Sequence, residues 1–184
     1  MKKRIALPLA ALMALLHCAE LDFVYDNPCD KTGTNYIGGC GGGDNGGGGG
    51  DDNYVYTGGT VRIGNQTWMA KNLDRATTNS KCYNNSADSC AKYGRLYNWN
   101  DAKSACPSGW HLPSDAEWTT LTTFVGGEST AGTKLKSTSG WYNNGNGTDE
   151  YMFSALPGGY GYSGGHFTSA GGGGDWWSST EDDA

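Results

Sequence analysis

The stretch from Tyr93 to Leu121, YGRLYNWNDAKSACPSGWHLPSDAEWTTL, carries most of the information about the fold. Apolar residues recur near helical spacing ahead of Cys106, which predicts a helix at about residues 94–105. The turn residues Pro107-Ser108-Gly109 end that helix, and Trp110-His111-Leu112 is typical of a short strand. The stretch therefore predicts a helix, a turn and a strand in close succession.

A second helix is predicted directly after this strand. Ser114 is a preferred residue just before a first helical turn, and Glu117 three residues later completes the pattern of a capping box. Gly126-Gly127 marks the end of the helix. Its buried face is predicted to consist of Trp118, Leu121 and Phe124 or Val125.

Short strands are predicted on both sides of these helices. Upstream, residues 60–69 form two short runs around Gly64-Asn65, which is a hairpin signal. Residues 74–92 are polar, and beyond residue 130 the chain is rich in Gly, Ser, Asn and aromatic residues without a long regular element. We therefore expect an α+β domain with two short helices, short antiparallel strands and a large loop region.

The first residues follow the pattern of an export signal. A basic start, Lys2-Lys3-Arg4, precedes twelve uncharged residues, Ile5–Leu16, most of them apolar. This run is too short to cross a bilayer core of ~30 Å as a helix, so we interpret residues 1–17 as a signal peptide. The alternative is a buried N-terminal helix.

Cys18 directly follows the apolar run. Leu15-Leu16-His17-Cys18 resembles a bacterial lipobox, in which the cysteine is lipidated and becomes the new N-terminus, although His17 stands where a small residue is usual. Ala19, rather than an aspartate, then implies sorting to the outer membrane. We expect an exported, lipid-anchored protein of the outer membrane or cell surface that touches the membrane through its anchor only. Plain secretion is the alternative.

A glycine-rich tether is predicted between this anchor and the domain. Ten of the thirteen residues from Gly38 to Gly50 are glycine, which loses the most backbone entropy on ordering and offers no side chain to bury. We assign residues 18–57 to the tether and residues 58–184 to the domain.

Charge limits the partners of the domain. The formal net charge of the chain is −6, and removal of the leader with its three cations would make it −9. Because like charges repel, we expect no nucleic-acid partner and no direct contact with anionic headgroups. Seven Trp and eleven Tyr supply the buried area that the few aliphatic residues do not provide.

Five cysteines remain beside Cys18, and an exported chain favours disulfides. Proximity in sequence favours two pairs, Cys29 with Cys40 and Cys82 with Cys90. Cys106 is then left without a partner. Either the sequence is truncated and the partner lies in a missing final strand, or Cys106 is a free buried thiol.

Five motifs of the chain are long and specific: GNQTWMAKNLD (64–74), YGRLYNWNDA (93–102), CPSGWHLPSDAEW (106–118), NGTDEYMFSALPGG (146–159) and GGGDWWSSTE (172–181). Through them residues 58–184 resemble the Fibrobacter succinogenes major paralogous domain, a family of exported bacterial domains without an established activity. In that family a further segment usually follows the WWSST element and ends near a cysteine, which again implies truncation.

A more distant resemblance is to the C-type lectin-like fold, including the formylglycine-generating group. There too, a helix bearing an alanine and a cysteine is followed by Gly-x-x-Leu-Pro and by a second helix with Glu-Trp. The resemblance implies a C-type lectin-like domain in which Cys106 pairs with a cysteine of the last strand. The matching residues are Ala102, Cys106, Gly109, Leu112, Pro113, Glu117 and Trp118.

Aromatic residues of the loop region are the candidates for ligand binding. Sugar rings stack on flat aromatic faces, and exposed aromatic patches usually mark binding sites. The alternative is that most of these residues form the core. The candidates are Trp141, Tyr142, Tyr160, Tyr162, Trp176 and Trp177.

The run from Asn143 to Glu150 is a candidate calcium site, because hard cations bind several oxygen ligands from flexible loops. The alternative is a tight polar turn in which Asn and Gly adopt positive φ. The spacing does not match an EF-hand loop. The candidate ligands are Asn144, Asn146, Asp149 and Glu150.

No catalytic constellation is visible in the sequence. His111 lies in a short strand, and neither a nucleophile elbow nor a phosphate-binding loop is present. We therefore expect a binding or adhesion module rather than an enzyme, with a polysaccharide or another surface protein as its ligand. The alternatives are an exported enzyme with an unrecognised active site and a structural surface-coat protein.

Overall fold

The computed structural model of the chain describes residues 2–5, 15, 17–20, 54, 56–162 and 164–181; for residues 2–5 and for residue 20 it describes the backbone alone. These residues form eight short strands and four α-helices. The strands are β1 (Lys2–Ile5), β2 (Ala19–Glu20), β3 (Thr60–Ile63), β4 (Gln66–Met69), β5 (Trp110–His111), β6 (Gly158–Gly161), β7 (Phe167–Ala170) and β8 (Trp176–Glu181). The helices are α1 (Ala87–Tyr93), α2 (Trp99–Ala105), α3 (Asp115–Phe124) and α4 (Glu128–Leu135).

The hairpin predicted around Gly64-Asn65 is confirmed. β3 and β4 pair antiparallel, with Val61 opposite Trp68 and Ile63 opposite Gln66. Gly64 adopts a φ of 62°, which glycine reaches without steric cost. Val61 and Ile63 are buried, whereas the residues between and before them are exposed, so one face of β3 covers the core.

A central sheet of four strands has the order β3-β4-β2-β5. β2 lies antiparallel to both neighbours, with Ala19 opposite Trp68 on one side and His111 on the other. The carbonyl oxygen of Cys18 accepts a hydrogen bond of 3.1 Å from the amide of Met69. The assignment of residues 18–20 to a tether is therefore wrong for this structure, because backbone pairing makes them part of the sheet. Most of the predicted tether, residues 21–53 and 55, lies outside the described residues.

Parts of the predicted signal peptide contact the domain. β1 pairs antiparallel with β8. Leu15 is buried, and its amide donates a hydrogen bond of 2.9 Å to the carbonyl oxygen of Asp175. His17 is also buried, with its ring stacked on Phe153. In this structure of the whole chain, these leader residues fill space in the core.

Helix α2 begins later than the apolar spacing predicts. The side chain of Asn98 accepts a hydrogen bond of 2.9 Å from the amide of Asp101 and so starts the helix at Trp99. Ahead of it, Leu96 is extended and forms an antiparallel bridge with Lys81. The predicted start at residue 94 is therefore wrong, because a cap and a bridge override the periodicity.

Helix α3 has the predicted capping box, in which Ser114 and Glu117 each bond the backbone of the other. Trp118, Leu121 and Val125 are buried, whereas Phe124 is 55 % exposed. Of the two residues predicted as alternatives for the buried face, Val125 is therefore the correct one.

Tryptophan side chains join the helices to β8. Trp176 belongs to the core cluster under β3 and α3, and Trp177 belongs to a second cluster around α2, because successive strand residues point to opposite faces. The indole N–H of Trp177 donates to the carbonyl oxygen of Tyr97 at 2.7 Å, and that of Trp99 donates to Ser178 at 2.9 Å. The buried aromatic residues thus fix the position of β8 by hydrogen bonds as well as by contact area.

Two disulfides are present. Cys82–Cys90 is confirmed as predicted. Cys18 pairs with Cys106, so the expectation that Cys106 lacks a partner in this chain is wrong. The sulfur of Cys18 is used in that bond and is not free for a lipid in this form of the chain. Cys29 and Cys40 lie outside the described residues.

The α+β class is confirmed, with four helices in place of the two predicted. The pair of disulfides is typical of an exported protein. Within the described ranges, none of the helices is long and apolar enough to cross a bilayer.

Candidate functional site

A cleft of about 480 Å³ opens on the surface where four separate segments of the chain meet. Its volume lies within the range of known small-ligand sites, about 300–1,000 Å³. The lining combines tyrosine rings with hydroxyl, carboxylate and ammonium groups. The polar and charged residues of the lining include Tyr54, Tyr56, Lys71, Asp74, Lys92, Tyr93, Ser137, Ser139, Asp149 and Ser154.

Two tyrosines on one side of the cleft are held by their hydroxyl groups. The Tyr54 hydroxyl donates a hydrogen bond to the carboxylate of Asp74. The Tyr56 hydroxyl donates to the carbonyl oxygen of Lys71 at 3.0 Å and accepts from the Lys71 amide at 2.9 Å. Burial raises the pKa of both phenols, to about 12 for Tyr56. Both side chains are therefore neutral and fixed near neutral pH.

The end of α1 supplies a third ring and a cation. The Lys92 ammonium lies 4.8 Å from the centroid of the Tyr93 ring. The neighbouring Tyr93 hydroxyl raises the pKa of Lys92, so the ammonium is charged at neutral pH. The carbonyl oxygen of Tyr93 accepts a hydrogen bond of 2.7 Å from the side chain of Asn72, which joins α1 to the segment after β4.

Gly94 makes this close approach possible. Its φ is 77°, and a Cβ at this position would lie 2.8 Å from the carbonyl oxygen of Leu73 and 2.7 Å from the Cβ of Asn72. Any other residue would push α1 away from the segment after β4, and with it Tyr93 and Lys92.

The opposite side of the cleft is formed by the loop after α4. The Asp149 carboxylate accepts two hydrogen bonds of 2.7 Å, from the amide and from the hydroxyl of Ser154. The Ser137 hydroxyl donates to the carbonyl oxygen of Ser139 at 2.8 Å and accepts from the indole of Trp141 at 3.1 Å. This side of the cleft is thus polar, with its groups oriented by bonds within the protein.

The predicted aromatic residues do not gather at this cleft. Trp176 and Trp177 are buried, so neither ring presents a face to a ligand. Tyr160 and Tyr162 are half-buried with ring centroids 5.5 Å apart. Trp141 is half-buried, whereas Tyr142 is 68 % exposed. Of the six candidates, Tyr142 alone is a large, mostly exposed ring.

Three of the four candidate calcium ligands, Asn146, Asp149 and Glu150, are engaged in bonds within the protein. The side-chain oxygen of Asn146 accepts from the Trp141 amide at 3.0 Å, and Glu150 forms an ion pair of 3.4 Å with Lys134. Asn144 has a φ of 59°, as expected for a polar turn. In the described part of the chain, no group of three or more His, Cys, Asp or Glu residues is placed to hold a metal.

One close pair of titratable groups lies away from the cleft. The Nε2 atom of His111 is 2.5 Å from the Glu117 carboxylate, whose other oxygen accepts from the amide and hydroxyl of Ser114. The pair fixes the start of α3 beside β5. It thus has a structural role as a helix cap.

Sequence reasoning missed the tyrosines and lysines of the cleft. Tyr54 and Tyr56 fall within the predicted tether, although their alternate spacing is that of a strand-like segment with one face on a surface. Lys92 and Tyr93 lie on a helix that has no buried residue and hence no periodic signal.

Comparison with known proteins identifies a domain family to which the chain is similar. A family model described as the Fibrobacter succinogenes major domain matches residues 61–184. No curated protein and no solved structure matches the chain. The C-type lectin-like assignment therefore stays a prediction.

Proposed function

We propose that this chain, which belongs to the Fibrobacter succinogenes major domain family, is an exported binding module for polysaccharides. The observation that carries the proposal is the lining of the cleft. Tyrosine rings and oriented hydroxyl and carboxylate groups line the same cavity of about 480 Å³. Sugars combine apolar ring faces with a rim of hydroxyl groups, and such a lining complements both.

Preorganisation supports this proposal. The hydroxyl groups of Tyr54 and Tyr56 are already bonded to the protein, so their rings lose little freedom when a ligand binds. Ser137 and Ser154 are likewise held in place. A site of this kind loses less entropy on binding than a set of free side chains does.

We propose that the protein acts outside the cell, as its disulfides suggest. A lipid on Cys18, with anchoring at the outer membrane or cell surface, belongs to this proposal, and plain secretion is its alternative. Lipid and disulfide exclude each other, since both use one sulfur atom. Mass spectrometry of the N-terminal peptide from the membrane fraction tests the lipid. A Cys18–Cys106 cross-linked peptide with an intact leader would overturn it.

Binding is tested with the full-length chain, disulfides formed, on cellulose, xylan and a glycan panel, with and without EDTA. We expect retention that survives EDTA. Loss of binding in EDTA would instead support calcium at the Asn143–Glu150 loop. Absence of binding to every glycan would overturn the polysaccharide proposal, and a surface protein would become the leading ligand class.

Two matched variants locate the site. Tyr93→Ala removes a ring of the cleft and should weaken binding about tenfold, by analogy with the ~1–3 kcal/mol that a base stacked on an aromatic side chain contributes in single-stranded nucleic-acid sites. Tyr142→Ala removes the exposed ring outside the cleft lining and should leave affinity within about twofold. The reverse pattern would place the site at Tyr142, as the sequence suggested.

The enzyme alternative is addressed with the same glycans. Asp74 and Asp149 both line the cleft, but both accept hydrogen bonds from neighbouring protein groups. Release of new reducing ends during incubation, lost in Asp74→Asn, would show hydrolysis and overturn the assignment as a binding module.

A further inference from the structure

The cleft holds two lysines that form no ion pair among the described residues. Lys71 follows β4 and Lys92 lies in the last turn of α1, and both are exposed. Ion pairs of lysines found in the described part of the chain involve other residues: Lys103 with Glu181 and Lys134 with Glu150. Both ammonium groups are thus available to a ligand.

The carboxylates of the same cleft are engaged differently. Asp74 accepts the hydroxyl of Tyr54, and both oxygens of Asp149 accept hydrogen bonds from Ser154. These hydrogen bonds come from uncharged donors and stabilise the two carboxylates. Both carboxylates of the cleft thus have hydrogen-bond partners within the protein, whereas neither lysine of the cleft has an ion-pair partner among the described residues.

This arrangement contrasts with the charge of the whole chain, which is −6. Long-range repulsion of an anionic ligand is screened within ~8 Å at physiological salt, so short-range contacts decide the affinity. The backbone of Lys71 is held by two hydrogen bonds with the Tyr56 hydroxyl, and the Lys92 ammonium lies 4.8 Å from the centroid of the Tyr93 ring. Both lysines thus start from backbone that a tyrosine of the cleft contacts or adjoins.

We propose that the cleft binds an acidic glycan, with a carboxylate or sulfate ester on one sugar at Lys71 and Lys92 and neighbouring sugar rings against the tyrosines. This inference rests on the proposed function and names the ligand class for the same site. Uronic acids and sulfated sugars share the anionic group, and the experiment below separates them.

The test is titration of the full-length, disulfide-bonded chain with three soluble polymers: polygalacturonate, dextran sulfate and neutral dextran. We expect at least one acidic polymer to bind about tenfold more tightly than dextran, with the difference reduced at high salt. The acidic polymer that binds identifies the anionic group as a carboxylate or a sulfate ester.

Three charge-matched variants assign the effect to the cleft. Lys71→Gln and Lys92→Gln should each weaken binding of the acidic polymer about three- to fivefold, as expected for exposed charge pairs. Lys81→Gln removes the same charge outside the lining and should leave the affinity unchanged. An equal loss of affinity in Lys81→Gln would show that the net charge of the protein, rather than the cleft lysines, causes the effect, and would overturn the inference.

The two proposals fail in different ways. Equal affinity for neutral and acidic polymers, unaffected by the lysine changes, would overturn the acidic ligand and leave the polysaccharide-binding module in place. Absence of binding to all three polymers, together with no retention on the wider glycan panel, would overturn both.

Discussion

Glu117 joins three groups at the start of α3: the backbone and hydroxyl of Ser114 and the imidazole of His111. Burial alone would raise the pKa of this carboxyl, but the hydrogen bonds from Ser114 and His111 lower it overall. A lowered pKa in the folded state means that the carboxylate stabilises the fold above its unfolded value near 4.5. This contribution is lost as the pH falls through the lower folded value.

The Glu117→Gln variant should therefore be less stable at pH 7 by about 0.5–1 kcal/mol, because the group is half-exposed and solvent weakens its bonds. Its stability should also change less between pH 5 and pH 3 than that of the parent chain. Urea denaturation at a series of pH values measures both effects. A parallel pH dependence in the two proteins would show that the carboxylate adds no charge-dependent stability.

For His17, in contrast to Glu117, the effect of burial on the pKa outweighs the effect of hydrogen bonds. Its ring is fully buried beside Phe153 and Trp176, and neither ring nitrogen has a hydrogen-bond partner of good geometry among the described residues. Burial lowers its pKa to about 4, with weaker opposing effects from Asn72 and the Phe153 backbone. Unfolded chains take up a proton near pH 6.5, so stability should fall as the pH drops from about 6.5 to about 4.

His17→Phe keeps a flat ring in this position and removes the titration. The full-length parent should lose roughly 3 kcal/mol across this pH range, and the variant should lose much less. Thermal denaturation of both proteins at pH 7, 5.5 and 4 measures the difference. Equal losses would show that His17 is accessible to protons in the folded chain.

At the scale of elements, α1 depends on covalent rather than hydrophobic support. The helix has no buried residue, and the Cys82–Cys90 disulfide closes its N-terminal side. The Arg95 guanidinium lies 3.7 Å and 3.6 Å from the two sulfur atoms. Loss of the disulfide should therefore affect the helix that carries Lys92 and Tyr93.

A Cys82→Ser/Cys90→Ser double variant should lose about 2.5 kcal/mol of stability, as estimated for the closure of so short a loop. Amide exchange should rise over residues 87–93 and stay near the parental rate in α3, which serves as the internal control. Uniform protection across both helices would show that α1 holds its position without the disulfide.

Local signals account for the elements that the sequence predicted. The β3–β4 hairpin follows from Gly64-Asn65, and the start of α3 follows from Ser114 and Glu117. Helix α4 escaped prediction because its sequence, ESTAGTKL, buries just Ala131 and Leu135. Such a helix is stabilised by its neighbours in the fold, which a sequence pattern does not contain.

At the scale of the whole molecule, the cleft could not be predicted because its lining comes from distant segments. Tyr54, Lys71, Tyr93 and Asp149 are brought together by the fold, and none of them lies in a motif that names a ligand. By contrast, two of the six candidate aromatics, Trp176 and Trp177, are buried in the core. The composition thus predicts a core rich in aromatic residues, whereas the position of the cleft depends on packing between distant segments of the chain.

The Cys18–Cys106 bond has a consequence for breaks in the polypeptide. It spans 88 residues and joins β2 to the end of α2. A protease that cleaves once between Glu20 and Tyr54 would therefore produce two fragments that remain one molecule. We expect such a nicked protein to migrate at full mass in non-reducing electrophoresis and to separate into two bands after reduction. Two bands without reductant would show that the bond is absent from the protein in solution.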